Sequence, residues 1–105
     1  MSKYLDIDRE DALTCVGKGW ASLVNELYDK KPKKVKVVQL KEKFASLRCY
    51  TDWSDDEFDK VIEDVERRSE TTCEQCGSVG KVRDIGHWLV TLCDDCEIKR
   101  KENNQ

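Results

Sequence analysis

Apolar residues recur three and four positions apart at Leu13, Val16, Trp20, Leu23, Val24, Leu27 and Tyr28. That spacing predicts a helix with one buried stripe. Gly17 and Gly19 interrupt it, so the pattern allows a start near Asp8 or near Gly19. Lys30-Lys31-Pro32 ends it, because proline cannot continue a helix and cations suit a helix C-terminus. Upstream, Tyr4, Leu5 and Ile7 are the anchors of a polar lead-in. From Val35 to Lys41 the alternation has a period of two, with a phase shift at Val37-Val38 that predicts a bulge or burial on both faces. Leu47–Thr51 predicts a second strand, joined to the first by a hairpin turning near Phe44-Ala45-Ser46. Cys49 on that strand reads as a small buried hydrophobe.

Asp52-Trp53-Ser54-Asp55-Asp56-Glu57-Phe58 marks the next helix start. Ser54 as N-cap and Glu57 three residues later form a capping box, with Trp53 and Phe58 as its hydrophobic staple. Phe58, Val61, Ile62 and Val65 then give one apolar face, and Arg67 and Arg68 suit the far end near Ser69. Downstream, Cys73-Glu-Gln-Cys76-Gly77 and Cys93-Asp-Asp-Cys96 are separated by sixteen residues. Two residues between paired cysteines let both thiolates reach one ion, and four thiolates are a preferred tetrahedral shell for zinc. Between the pairs, Lys81 to Val90 suits a hairpin turning near Gly86. After Thr91, a candidate cap, acids precede bases, the charge order of a helix. Knuckle, hairpin and helix predict a treble-clef finger. A plain zinc ribbon, with its second pair on another knuckle, is the alternative.

Composition sharpens this picture. The chain has 105 residues, 38% hydrophobic and 39% charged. A chain of that size buries only about 60–70% of its unfolded surface, so stability from burial alone is thin and a structural zinc would offset it. No apolar run is long enough for a membrane span, and the first residues lack the apolar stretch of a secretory signal. Six cysteines in such a chain predict metal binding in a reducing cytoplasm. The formal charge is −3, but it is unevenly spread. Residues 30–43 carry a net +6 and residues 52–66 a net −7. Lys33, Lys34, Lys36 and Arg48 are candidate phosphate contacts. Asp55, Asp56, Asp59 and Glu63 form a candidate acidic face that would imitate nucleic acid toward a basic partner. His87 is the lone histidine. Metal-dependent nuclease chemistry needs an open metal position, which four cysteines close, so His87 reads as a surface residue.

Three segments together carry a resemblance. They are Gly17-Lys18-Gly19-Trp20; Val38-Gln-Leu-Lys-Glu-Lys-Phe44 with Leu47-Arg48 and Tyr50; and Cys73-x-x-Cys76-Gly77 with Trp88, Leu92-Cys93 and Cys96. In these the chain resembles a family of short bacterial and phage or prophage zinc-finger proteins, over residues 15–96. It departs from the family at Ala45-Ser46, where two glycines are usual. The resemblance implies a small cytosolic zinc finger carried by mobile elements, and it implies no reaction.

The expected architecture is therefore α+β: an N-terminal helix, a β-hairpin and a second helix in residues 1–72, a four-cysteine zinc finger in 73–101, and a frayed tail in 102–105. Cys73, Cys76, Cys93 and Cys96 are the expected ligands of one structural zinc. The expected function is non-enzymatic, an inhibitor or modulator that contacts a host protein. A nucleic-acid-binding regulator is the alternative, drawing on Lys41, Lys43, Lys99, Arg100 and Lys101 as well. A metal-dependent nuclease is the second alternative. No membrane partner is expected.

Overall fold

The computed structural model describes residues 6–103. Tyr4 and Leu5 of the lead-in and residues 104–105 of the tail lie outside the described residues. Helix α1 (Arg9–Cys15) starts on Asp8, whose carboxylate accepts the Asp11 N–H at 2.8 Å. The chain turns extended at Val16, makes a 3-10 turn over Lys18–Trp20 and enters α2 (Ala21–Lys30). The single N-terminal helix expected from the apolar stripe is thus two helices, and both candidate starts are used. The interruption has a packing cause, given below with the cysteine site.

Strand β1 (Val37–Lys43) pairs antiparallel with β2 (Ser46–Thr51), and the register shifts between Val37 and Gln39. The expected phase break is therefore a bulge. The turn is shorter than expected: only Phe44 and Ala45 link the strands, at φ 52° and 67°. A two-residue hairpin turn of type I′ needs positive φ at both central positions, which costs a residue with a Cβ on the order of 1–2 kcal/mol. Phe44 recovers little of that by burial, being 69% exposed. Phe44→Gly should therefore stabilise the fold by about 1 kcal/mol, read as a rise in melting temperature of roughly 4–8 °C. A fall would contradict this account of the turn.

Helix α3 (Asp56–Ser69) begins one residue later than the capping box predicts. Asp55, not Ser54, is the N-cap, accepting the Phe58 N–H at 2.7 Å. A carboxylate meets the helix dipole better than a hydroxyl does, and this frame buries Phe58. It also moves Trp53 out of the staple position. Trp53 is instead 51% exposed beneath Lys34, whose Nζ lies 4.7 Å from the ring centre. Trp20, Leu23, Val24 and Leu27 of α2 form one core with Leu40, Leu47 and Cys49 of the hairpin and Phe58 and Val65 of α3.

Strands β3 (Lys81–Ile85) and β4 (Trp88–Leu92) form a second antiparallel pair around Gly86-His87, with φ 59° and 70°. Helix α4 (Asp94–Asn103) follows and takes in Glu102 and Asn103 of the expected tail. Thr91 does not cap it. Thr91 is buried in β4 and donates its hydroxyl to the Ala45 carbonyl at 2.6 Å, tying the second hairpin to the first turn. Cys93 holds the capping position, its carbonyl accepting the Glu97 N–H at 3.0 Å. The protein is mixed α+β, with two small antiparallel sheets among the described residues. No helix among them is long and apolar enough to cross a membrane.

Candidate metal centre

Two local structures bring the four cysteines together. After α3, the chain makes a tight knuckle: Cys73 N–H donates to the Ser78 carbonyl at 2.7 Å and Gly77 N–H to the Cys73 carbonyl at 2.9 Å. Gly77 sits at φ +86°, which the reversal requires and which a residue with a Cβ would resist. The second pair spans the start of α4. Cys93 immediately precedes the helix and Cys96 lies in its first turn, with the Cys96 N–H facing the Cys93 sulfur at 3.5 Å. One ligand atom from each of Cys73, Cys76, Cys93 and Cys96 lies within 4.8 Å of all the others. The sulfurs of Cys76 and Cys93 are 3.6 Å apart.

That geometry can hold a metal ion. With zinc–sulfur bonds of about 2.3 Å, the edge of a thiolate tetrahedron is about 3.8 Å, so a small contraction closes this shell. Cys73 and Cys96 are buried, whereas Cys76 is exposed. Without a cation the four sulfurs stand in unequal surroundings. Hydrogen bonds from the side chain and backbone of Ser78 hold Cys76 down to about 6. Burial pushes Cys96 up, and the neighbouring cysteines add to it. A cation is the natural counter-charge for such a cluster.

Two features that position this site are hidden in the sequence. The first is Gly17-Lys18-Gly19-Trp20. Gly19 N–H donates to the Glu74 carbonyl at 2.8 Å, and the Trp20 indole N–H to the Thr72 carbonyl at 2.8 Å. A Cβ on Gly19 would lie 2.6 Å from the Glu74 carbonyl carbon and 2.7 Å from the Gly77 nitrogen, and closer still to the Cys73 oxygen. One on Gly17 would collide with the Glu74 oxygen. The glycines that break the helical stripe thus let this turn dock on the knuckle. The second feature is Arg83. It donates to the Leu92 carbonyl at 2.9 Å, to Asp94 at 2.7 Å and to Glu97 at 2.5 Å, so it clamps α4 to the hairpin. Its hydrogen bond holds the Asp94 carboxyl below the usual range.

No family model, curated protein or solved structure matches this chain.

The other sequence candidates lie elsewhere. His87 is at the tip of the β3–β4 hairpin, at the far end of the five-residue strand β4 and so, six residue steps away, about 20 Å from Cys93 along the chain. Cys15 ends α1, exposed, with its thiol on the Asp11 carbonyl at 3.4 Å. Cys49 is buried in the core, where loss of hydration and the nearby Glu66 charge push its thiol up to about 12. Asp56, Asp59 and Glu63 are exposed, while Asp55 is used as a cap and is half-buried. Lys33, Lys34 and Lys36 are exposed ahead of β1, and Arg48 is half-buried on β2.

This arrangement sets thiol reactivity. With metal bound, a disulfide-exchange reagent should titrate one fast thiol, Cys15, because Cys49 is buried and protonated and the ligand sulfurs are engaged. Chelation should bring all six cysteines into reach. Fast reaction of Cys76 in the metal-loaded protein would contradict the assignment.

Proposed function

We propose that the protein is a small zinc finger that works by binding and not by catalysis, with a host protein as its partner. The observation that carries the reading is the four-sulfur constellation itself. Four thiolates saturate a tetrahedral zinc and leave no position for water or substrate, so the ion is a structural element. The donor set of soft sulfurs favours zinc over calcium or magnesium. The order of knuckle, hairpin and helix, with Cys93 and Cys96 at the helix start, supports a treble clef over a ribbon.

The partner reading rests on α3. Asp56, Asp59 and Glu63, three and four residues apart, share one exposed side of that helix. Such a stripe is complementary to the basic groove of a nucleic-acid-binding protein and would steer its approach. The resemblance to phage and prophage proteins supports a mobile-element modulator that acts in the host cytoplasm. The nuclease alternative has no such support, because the lone histidine stands far from the sulfurs. The test pairs tagged zinc-loaded protein with an Asp56→Lys, Asp59→Lys, Glu63→Lys variant in capture from host lysate. A partner retained by the first and lost by the equally stable second is expected. No partner, or the same set on both, would overturn the reading.

A further inference from the structure

A different surface carries its own chemistry. Three exposed aromatic rings line the β1–β2 hairpin from base to tip, and each has a lysine over it. Lys34 lies 4.7 Å from the ring centre of Trp53 at the base, Lys41 5.7 Å from Tyr50 along the strands, and Lys43 5.7 Å from Phe44 at the turn. Beyond the turn, Trp88 of the second hairpin is 62% exposed. Glu42, Lys43, Phe44, His87, Trp88 and Leu89 border a groove of about 360 Å³ between the two hairpin tips, with Glu42 its one carboxylate.

The strand register sorts these residues. Leu40, Leu47 and Cys49 point into the core shared with α3. Side chains alternate along a strand, so Lys41, Lys43, Arg48 and Tyr50 occupy the opposite face. Lys41 and Arg48 are direct cross-strand neighbours. The Nε of Arg48 is buried with no hydrogen-bond partner, a cationic donor without an acceptor. Helix α3 runs along the free edge of β2, where the Leu47 and Cys49 N–H groups donate to Ser69 and Glu66, and no ion pair among the described residues joins Lys41, Lys43 or Arg48 to a carboxylate.

We infer that this hairpin face and the adjoining tip groove bind single-stranded nucleic acid. Rings alternating with cations answer both halves of such a ligand: bases stack on aromatic faces, and phosphates pair with lysine and arginine. A duplex hides its base faces, so this surface favours unpaired strands. Phe44 adds a further mark. Its ring is held exposed at a positive φ that glycine would adopt without strain, and strain of this kind accompanies binding sites. The inference goes beyond the α3 reading and uses none of its residues, so either stands or falls alone.

The test is fluorescence anisotropy of zinc-loaded full-length protein with labelled oligo-dT, oligo-U and a duplex of equal length. Both single strands should bind about tenfold or more tighter than the duplex, and their ratio tells DNA from RNA. Three phosphate contacts from Lys41, Lys43 and Arg48 predict that log K falls with log salt at a slope of about −2. Trp88→Ala should weaken binding about tenfold or more at an unchanged melting temperature. Phe44→Gly should weaken binding while raising the melting temperature, a pairing that a purely structural role for Phe44 does not produce. The α3 charge-reversal variant should bind strands at least as well as the parent. Three results would each overturn the inference: no strand binding at low salt, equal duplex binding insensitive to the aromatic substitutions, or self-association lost in Trp88→Ala without strand binding, which marks a protein-contact surface.

Discussion

A chelator added with a reductant should unfold more than the finger: helical circular dichroism and tryptophan emission should change in one transition. Structural zinc in small domains is worth about 10–16 kcal/mol of apparent binding free energy, against about 5–15 kcal/mol of net stability for a whole protein. The second cluster is small, with Val90 and Leu92 as its buried aliphatics beside Cys73 and Cys96. Without the ion that cluster cannot hold the knuckle. The knuckle in turn receives the Gly19 N–H and, through Thr72, the indole of Trp20. Trp20 is fully buried, whereas Trp53 and Trp88 already face solvent. A red shift on metal removal therefore reports Trp20 and the first core. Loss confined to the finger, with Trp20 emission unchanged, would show that the two parts are not coupled.

Gly19→Ala should be the most damaging single-atom change outside the cysteines. The added Cβ meets backbone atoms of Cys73, Glu74 and Gly77, which cannot retreat without moving the ligands. Overpacking of this kind costs about 1–3 kcal/mol, and backbone on both sides places this case at the upper end. The expected loss is about 3 kcal/mol, or roughly 12 °C and more in melting temperature, together with about a hundredfold weaker metal binding. Gly86→Ala is the matched control. Nothing lies within 4 Å of its Cβ, so only the positive φ, on the order of 1 kcal/mol, opposes it. Calorimetry with chelator competition separates the two variants. A Gly19→Ala protein as stable as Gly86→Ala would contradict the docking account.

Periodicity and spacing made much of this legible. Two Cys-x-x-Cys pairs sixteen residues apart named the cluster, alternation located the first hairpin and the bulge near Val38, and Gly86 marked the turn of the second hairpin. What stayed hidden depends on long-range contacts. Gly17 and Gly19 look like helix breakers in a linear reading; only the knuckle beside them explains the break. Ser54 and Asp55 both suit a helix cap, and the burial of Phe58 decides between them. Thr91 resembles a cap in sequence, yet its hydroxyl serves Ala45, a residue 46 positions away. The lysine–aromatic track was legible only at Phe44, beside Lys43, and at Tyr50, near the basic strip. Lys34 and Trp53, or Lys41 and Tyr50, are distant in the chain and meet only when β1 and β2 pair.

The central claim is that one zinc is held by sulfur alone. X-ray absorption at the zinc edge, on protein purified under reducing conditions and shown to carry one metal per chain, tests it most directly. Four sulfur scatterers at about 2.3 Å are expected. A nitrogen or oxygen scatterer in the first shell would contradict the account, and so would cysteines found paired as disulfides with no metal bound.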